Sequence, residues 1–191
     1  MPVALLPLFG AALGAAGGAL FLHAARVLPA TPAALIAVAL WIAAPHALPG
    51  DRPRIWAQLG AGVMWCLLLA RLSVSLADPQ RLLLTCLVGQ TVPRAAVVAI
   101  AWVSRPAPEG LKLAGRMQSW QASMAVASGV FAASLRGARI GTAVVVGCYL
   151  IVRAARAWCY RRKGGIDGTG IAAVHLAVEV LAALSFGLGS A

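Results

Sequence analysis

The chain has 191 residues, 61% of them hydrophobic and 11% charged, with a mean hydropathy of +0.87. A soluble globular domain carries about a quarter of its residues as charge, so this composition excludes one and points to a polytopic membrane protein. The formal net charge of +11 is dispersed between apolar runs, with no soluble domain to gather it into a patch. That argues against nucleic acid and for membrane lipid headgroups and phosphorylated substrates as partners.

In chain order the apolar runs are 3–27, 32–48, 55–77, 82–104, 118–134, 140–158 and 171–189, each near the length a helix needs to cross hydrocarbon. The second and fifth are the shortest. Pro29 and Pro32, Pro49-Gly50-Asp51-Arg52-Pro53, Asp78-Pro79, Pro106 and Pro108, Gly137, and Gly164-Gly165 punctuate them. No linker is long enough to separate two domains. The expected fold is all-α, a single integral-membrane domain over residues 1–191, built as a transmembrane helical bundle of about seven spans. Cys66, Cys86, Cys148 and Cys159 have no CxxC spacing and read as small core residues.

In the first run Gly10, Gly14 and Gly18 recur at i, i+4, i+8, a small-residue face on which another helix can pack closely. In the fourth run Arg94 follows Pro93, and a cation inside a span needs a partner or a wet cavity. The seventh run holds Glu179, the only acid within a span, with His175 one turn earlier on the same face. Arg94, His175 and Glu179 are therefore candidates for a polar pocket. A hydrogen-bonded structural pair between His175 and Glu179 is the equal alternative.

Orientation follows from the connections. The second, fourth and sixth hold Arg52, Arg54, Arg105, Lys112, Arg116, Arg161, Arg162 and Lys163. The opposite side holds Arg26, Arg71, Arg81, Arg136 and Arg139, fewer by three. The positive-inside rule then places the even-numbered connections, including Asp51 and the 164–170 segment, in the cytoplasm. Between the sixth and seventh runs stands Arg161-Arg162-Lys163-Gly164-Gly165-Ile166-Asp167-Gly168-Thr169-Gly170. Glycine lets backbone N–H groups approach an anion and the three cations attract it, so the turn suits a phosphate. The plainer reading is a cytoplasmic loop whose glycines end a helix.

The run Gly164 to Ala173 followed by Glu179 resembles the C-terminal signature of cobalamin synthases (adenosylcobinamide-GDP ribazoletransferases), GG-x-TGD-x-LGA with a Glu ten residues after the TGD aspartate. Pro7 to Gly14 is similar to that family's P-x-x-G-x-x-x-G start. Leu35–Leu48 resembles the helix leading into its acidic motif, and Gly89 to Val98, with Arg94, resembles its LGR segment. The departures are as definite. Gly50-Asp51-Arg52-Pro53-Arg54 stands where the family has D-G-L-A-D-x-x-D-G, the K-D-S-R-I-G segment is missing, and Asp167 and Thr169 exchange the family's Thr and Asp.

The resemblance implies a membrane transferase that joins adenosylcobinamide-GDP to α-ribazole or its phosphate and releases GMP, with Mg²⁺ as cofactor. Carried onto this chain, it makes Asp51 and Asp167 the catalytic, metal-holding carboxylates. It makes Gly164, Gly165, Gly168, Arg161, Arg162 and Lys163 the binders of substrate phosphate. The implied partners are a corrinoid nucleotide, α-ribazole and membrane lipids, together with a second copy or other cobalamin-assembly membrane proteins. The implied location is the bacterial cytoplasmic membrane, multi-pass, with the functional loops inside. Loss of the acidic motif leaves two readings open, an active Mg²⁺-dependent transferase and a noncatalytic homologue serving as a membrane subunit or corrinoid-binding protein.

Overall fold

The computed structural model describes residues 3–43, 65–66, 79–107, 117–135 and 137–188. After a short 3-10 turn (Val3–Leu5), these residues form α1 (Leu6–Ala24), α2 (Ala30–Ala43), α3 (Pro79–Val103), α4 (Ser119–Ser134), α5 (Ala138–Lys163) and α6 (Gly168–Leu188). Among the described residues there is no strand, and the fold is all-helical as expected from the sequence. Four helices are long and apolar enough to cross a membrane: α1, α3, α5 and α6. The 14-residue α2 and 16-residue α4 fall short of the roughly 20 residues a span requires. The predicted span at 55–77 lies outside the described residues apart from Trp65 and Cys66. A count of about seven spans is thus not reached among the residues described.

α3 occupies the centre. It packs against α1, α4 and α6, and it is the most buried of the four long apolar helices. Small residues make this possible. A side chain at Gly10 would strike the Gln90 carbonyl, and one at Gly14 the Cys86 carbonyl. A side chain at Gly129 of α4 would strike the Ala95 methyl group of α3. In hydrocarbon, where apolar burial between helices gains little over lipid, such close backbone approach supplies the packing that holds helices together. Gly10 lies beside Arg94 and Gly18 beside Leu83, so α1 and α3 run antiparallel. Leu8, Leu35, Met124, Phe131, Leu150 and Leu184 are exposed, the outward apolar surface that a lipid-facing bundle carries.

One end of the bundle is pinned by backbone. The Ile166 N–H donates to the Arg105 carbonyl at 2.9 Å, and the Ala107 N–H donates to the Ile166 carbonyl at 2.9 Å. This parallel bridge between Pro106 and Ile166 leaves no room for a Cβ at Gly165, which would sit 2.7 Å from the Pro106 carbonyl carbon. Tyr160 adds a side-chain tie, its hydroxyl accepting the Arg105 N–H at 2.7 Å. The ends of α3 and α5 and the start of α6 therefore share one face with the start of α1. The fourth and sixth connections, expected on a common side from their charge, meet here.

Candidate functional site

Two groups of polar residues emerge, one within the bundle and one at its pinned end. The inner group centres on Glu179 of α6. Its Oε1 accepts a hydrogen bond from Trp65 Nε1 at 2.9 Å and another from Gln90 Nε2 at 3.1 Å. Gln90 turns its amide oxygen the other way, to accept from Arg94 Nη1 at 2.8 Å. Only this orientation of the amide offers a donor to the carboxylate and an acceptor to the guanidinium. Arg94 Nη1 also donates to the Gln90 backbone carbonyl at 2.6 Å. Gln90 thus bridges Glu179 and Arg94 by hydrogen bonds. His175 Nδ1 lies 3.9 Å from the second Glu179 oxygen.

The local sequence explains how these residues come together. Gly10 vacates the space that the Arg94 side chain fills, with Arg94 Cδ 2.8 Å from where a Cβ would stand. Gly89 does the same for the Trp65 ring, which is 1% exposed. Pro93 lies inside α3 and has no N–H to give the Gly89 carbonyl one turn back. Thr85 and Thr91, also buried on α3, satisfy their hydroxyls on the Arg81 and Leu87 carbonyls at 2.8 Å and 2.6 Å.

Arg94, His175 and Glu179, anticipated as a polar pocket, are therefore together, and Gln90 joins them. Trp65 is the member that sequence reasoning missed. It lies 114 positions from its partner, and an apolar run with one tryptophan gives no sign of such a contact.

The outer group lies at the pinned end. α5 stops at Gly164, whose φ of 69° and ψ of 1° are left-handed and favour glycine, and whose N–H donates to the Tyr160 carbonyl at 3.2 Å. Asp167 Oδ1 accepts the Gly170 N–H at 2.9 Å, which makes Asp167 the cap of α6. Its Oδ2 pairs with Lys163. Partial burial pushes the Asp167 carboxyl up, but Lys163 and the Gly170 N–H outweigh that and hold it below the ordinary carboxylate range. The N–H groups of Gly164, Ile166 and Gly170 are thus committed to the fold, while those of Gly165 and Gly168 take no part in these bonds. Arg161 and Arg162 are exposed, and the Arg162 guanidinium lies 5.2 Å from the centroid of the Trp158 ring.

Asp167 and Glu179 are twelve positions apart, about 18 Å along a helix rising 1.5 Å per residue, so they cannot share an ion. Asp51, the other expected metal-holding carboxylate, lies outside the described residues. Among those residues no three of His, Cys, Asp and Glu gather as metal ligands. A hard cation such as magnesium needs several oxygens, one or two of them carboxylates. One carboxylate already paired with Lys163 does not make that site among the described residues.

The family model described as cobalamin-5-phosphate synthase matches residues 58–187, about two thirds of the chain. The match takes in Arg94, the basic turn, Asp167, His175 and Glu179, and begins after Asp51 and the first two helices. No curated protein and no solved structure matches the chain.

Proposed function

We propose, since the chain belongs to the cobalamin-5-phosphate synthase family, that it joins adenosylcobinamide-GDP to α-ribazole or its phosphate in late cobalamin biosynthesis. The single observation that carries this reading is the match over residues 58–187, which contains both polar groups. In the reaction a ribazole hydroxyl forms a bond to the phosphorus that bears the cobinamide. The bond from that phosphorus to the bridging oxygen breaks, and GMP leaves with its electron pair. The nucleophile's proton passes to solvent or to a base on the substrates.

The outer group suits the diphosphate. Arg161 and Arg162 are exposed, always charged and close together, and a guanidinium presents paired donors to phosphate oxygens. The backbone pairing of Ile166 with Arg105 and Ala107 fixes the turn, so the cations need little ordering when substrate arrives. Gly165 and Gly168 line the same turn. Glu179, Gln90 and Arg94 answer one another inside the bundle, which fits holding the helices that frame the site. Magnesium belongs to the proposal only with Asp51 joining Asp167, and when bound it would neutralise diphosphate charge. The cytoplasmic membrane, with this turn inside, is the location that the distribution of arginine and lysine supports.

Membranes containing the protein, supplied with adenosylcobinamide-GDP, α-ribazole and Mg²⁺, are expected to release GMP together with cobalamin. A specific observation favours a second reading: Asp167 is already paired and acid-rich sequence is absent ahead of residue 58. A noncatalytic homologue would bind the corrinoid nucleotide and release no GMP. Absence of both binding and release would reject both readings.

A further inference from the structure

The second half of α5 carries cations that the proposed reaction does not use. Residues 140–152 hold no charge, a rise of about 20 Å set against roughly 30 Å of hydrocarbon. Arg153 and Arg156 come next, both exposed, on the least buried of the four long apolar helices. They would lie within or just at the edge of the hydrocarbon, where a cation needs a counter-charge. No acid occurs from Gly137 to Ile166, and among the described residues neither arginine has a carboxylate partner. The contrast with Arg94, which is answered by Gln90 and Glu179, is complete.

Tyr149, Arg153, Arg156 and Tyr160 fall at i, i+4, i+7 and i+11, which places them in one stripe along the helix. Within it Arg153 Nη1 donates to the Tyr149 hydroxyl at 3.0 Å, and the Arg156 guanidinium lies 5.3 Å from the centroid of the Tyr160 ring. Tyrosine favours the boundary between hydrocarbon and headgroup, and the guanidinium fork matches phosphate oxygens. We propose that this stripe is a binding site for the phosphate of an anionic phospholipid. The arginines reach out to the headgroup along their apolar stems, and the tyrosines set their direction.

The test is lipid retention by the purified full chain, read by native mass spectrometry after exposure to phosphatidylglycerol or phosphatidylcholine. Phosphatidylglycerol is expected to be retained in preference. Arg153→Gln and Arg156→Gln should each lower its apparent affinity about fivefold, while Arg153→Lys and Arg156→Lys retain most of it. GMP release by the Gln variants should persist in membranes, because neither residue belongs to the proposed reaction. Equal retention of the two lipids would overturn the proposal, as would glutamine variants that keep the full preference. Displacement of the lipid by GDP or inorganic phosphate at equal concentration would assign the stripe to a soluble phosphate instead.

Discussion

Arg94 and Arg162 are the same residue in opposite circumstances. Arg94 is enclosed between α1 and α3, bonded to Gln90 and drawn by the charge of Glu179. Arg162 stands exposed at the end of α5 with an indole ring for company. The difference lies in what each charge is free to do. An enclosed ion has to be answered within the protein, because leaving it unpaired away from water is costly. Arg94 Nη1 is therefore committed to Gln90, and a ligand that took that donor would have to break the arrangement. An exposed ion pair, by contrast, is worth about 1 kcal/mol or less, so the outer cations can turn to a passing diphosphate at little cost to the fold.

The largest effect should come from the inner group. Glu179→Leu leaves Arg94 without a counter-charge and strips the Trp65 and Gln90 donors of their acceptor. Losing one member of a fully buried ion pair costs about 3–5 kcal/mol; Arg94 and Glu179 are partly buried and joined through Gln90, so the loss here falls toward the lower end of that range. Thermal unfolding of the detergent-solubilised protein should show a large drop, against almost none for Leu184→Ala on the exposed side of the same helix. Equal tolerance of the two changes would break the contrast. Gln90→Leu removes the intermediary but keeps both charges. It should cost about 1–3 kcal/mol, the range for leaving buried polar partners unsatisfied, and the same melting experiment would rank it below Glu179→Leu.

At the outer end the expected changes in stability are smaller. Asp167→Ala removes the cap of α6 and the partner of Lys163, a loss of about 1 kcal/mol. Asp167→Asn keeps a capping oxygen and loses only the charge, so it should cost less. The two variants also carry a pH signature. The folded Asp167 carboxyl is held below its unfolded value, so its contribution is complete above about pH 4 and fades as pH falls through the lower folded value. The stability gap between wild type and Asp167→Asn should be constant from pH 7 to 5 and close in stronger acid. A gap that widened toward low pH would reverse the assigned sign.

The sequence exposed these two regions unequally. Apolar run length located every described helix, and the glycine spacing at Gly10, Gly14 and Gly18 announced a close helix contact, because both signals are local; that the partner is α3 came from the structure. The i, i+4 spacing likewise brought His175 toward Glu179. The Trp65 contact was not legible, since it depends on how α3 and α6 approach a distant segment. Asp167 shows a different limit. Its place ahead of Gly168-Thr169-Gly170 and an apolar run is an N-cap signature as much as a ligand position, and the structure displays the cap. Asp51 and most of the 55–77 run lie outside the described residues, so the acidic half of the expected site rests on sequence alone.

Equilibrium binding of adenosylcobinamide-GDP by the purified protein tests the division most directly, with Arg161 and Arg162 both changed to Ala. Losing two charged hydrogen-bonding partners, each worth about 1.5–3 kcal/mol, should weaken binding about a hundredfold or more while the melting temperature stays within a degree or two of wild type. Unchanged affinity in that variant would contradict the account, because the exposed turn would then not be what holds the substrate's diphosphate.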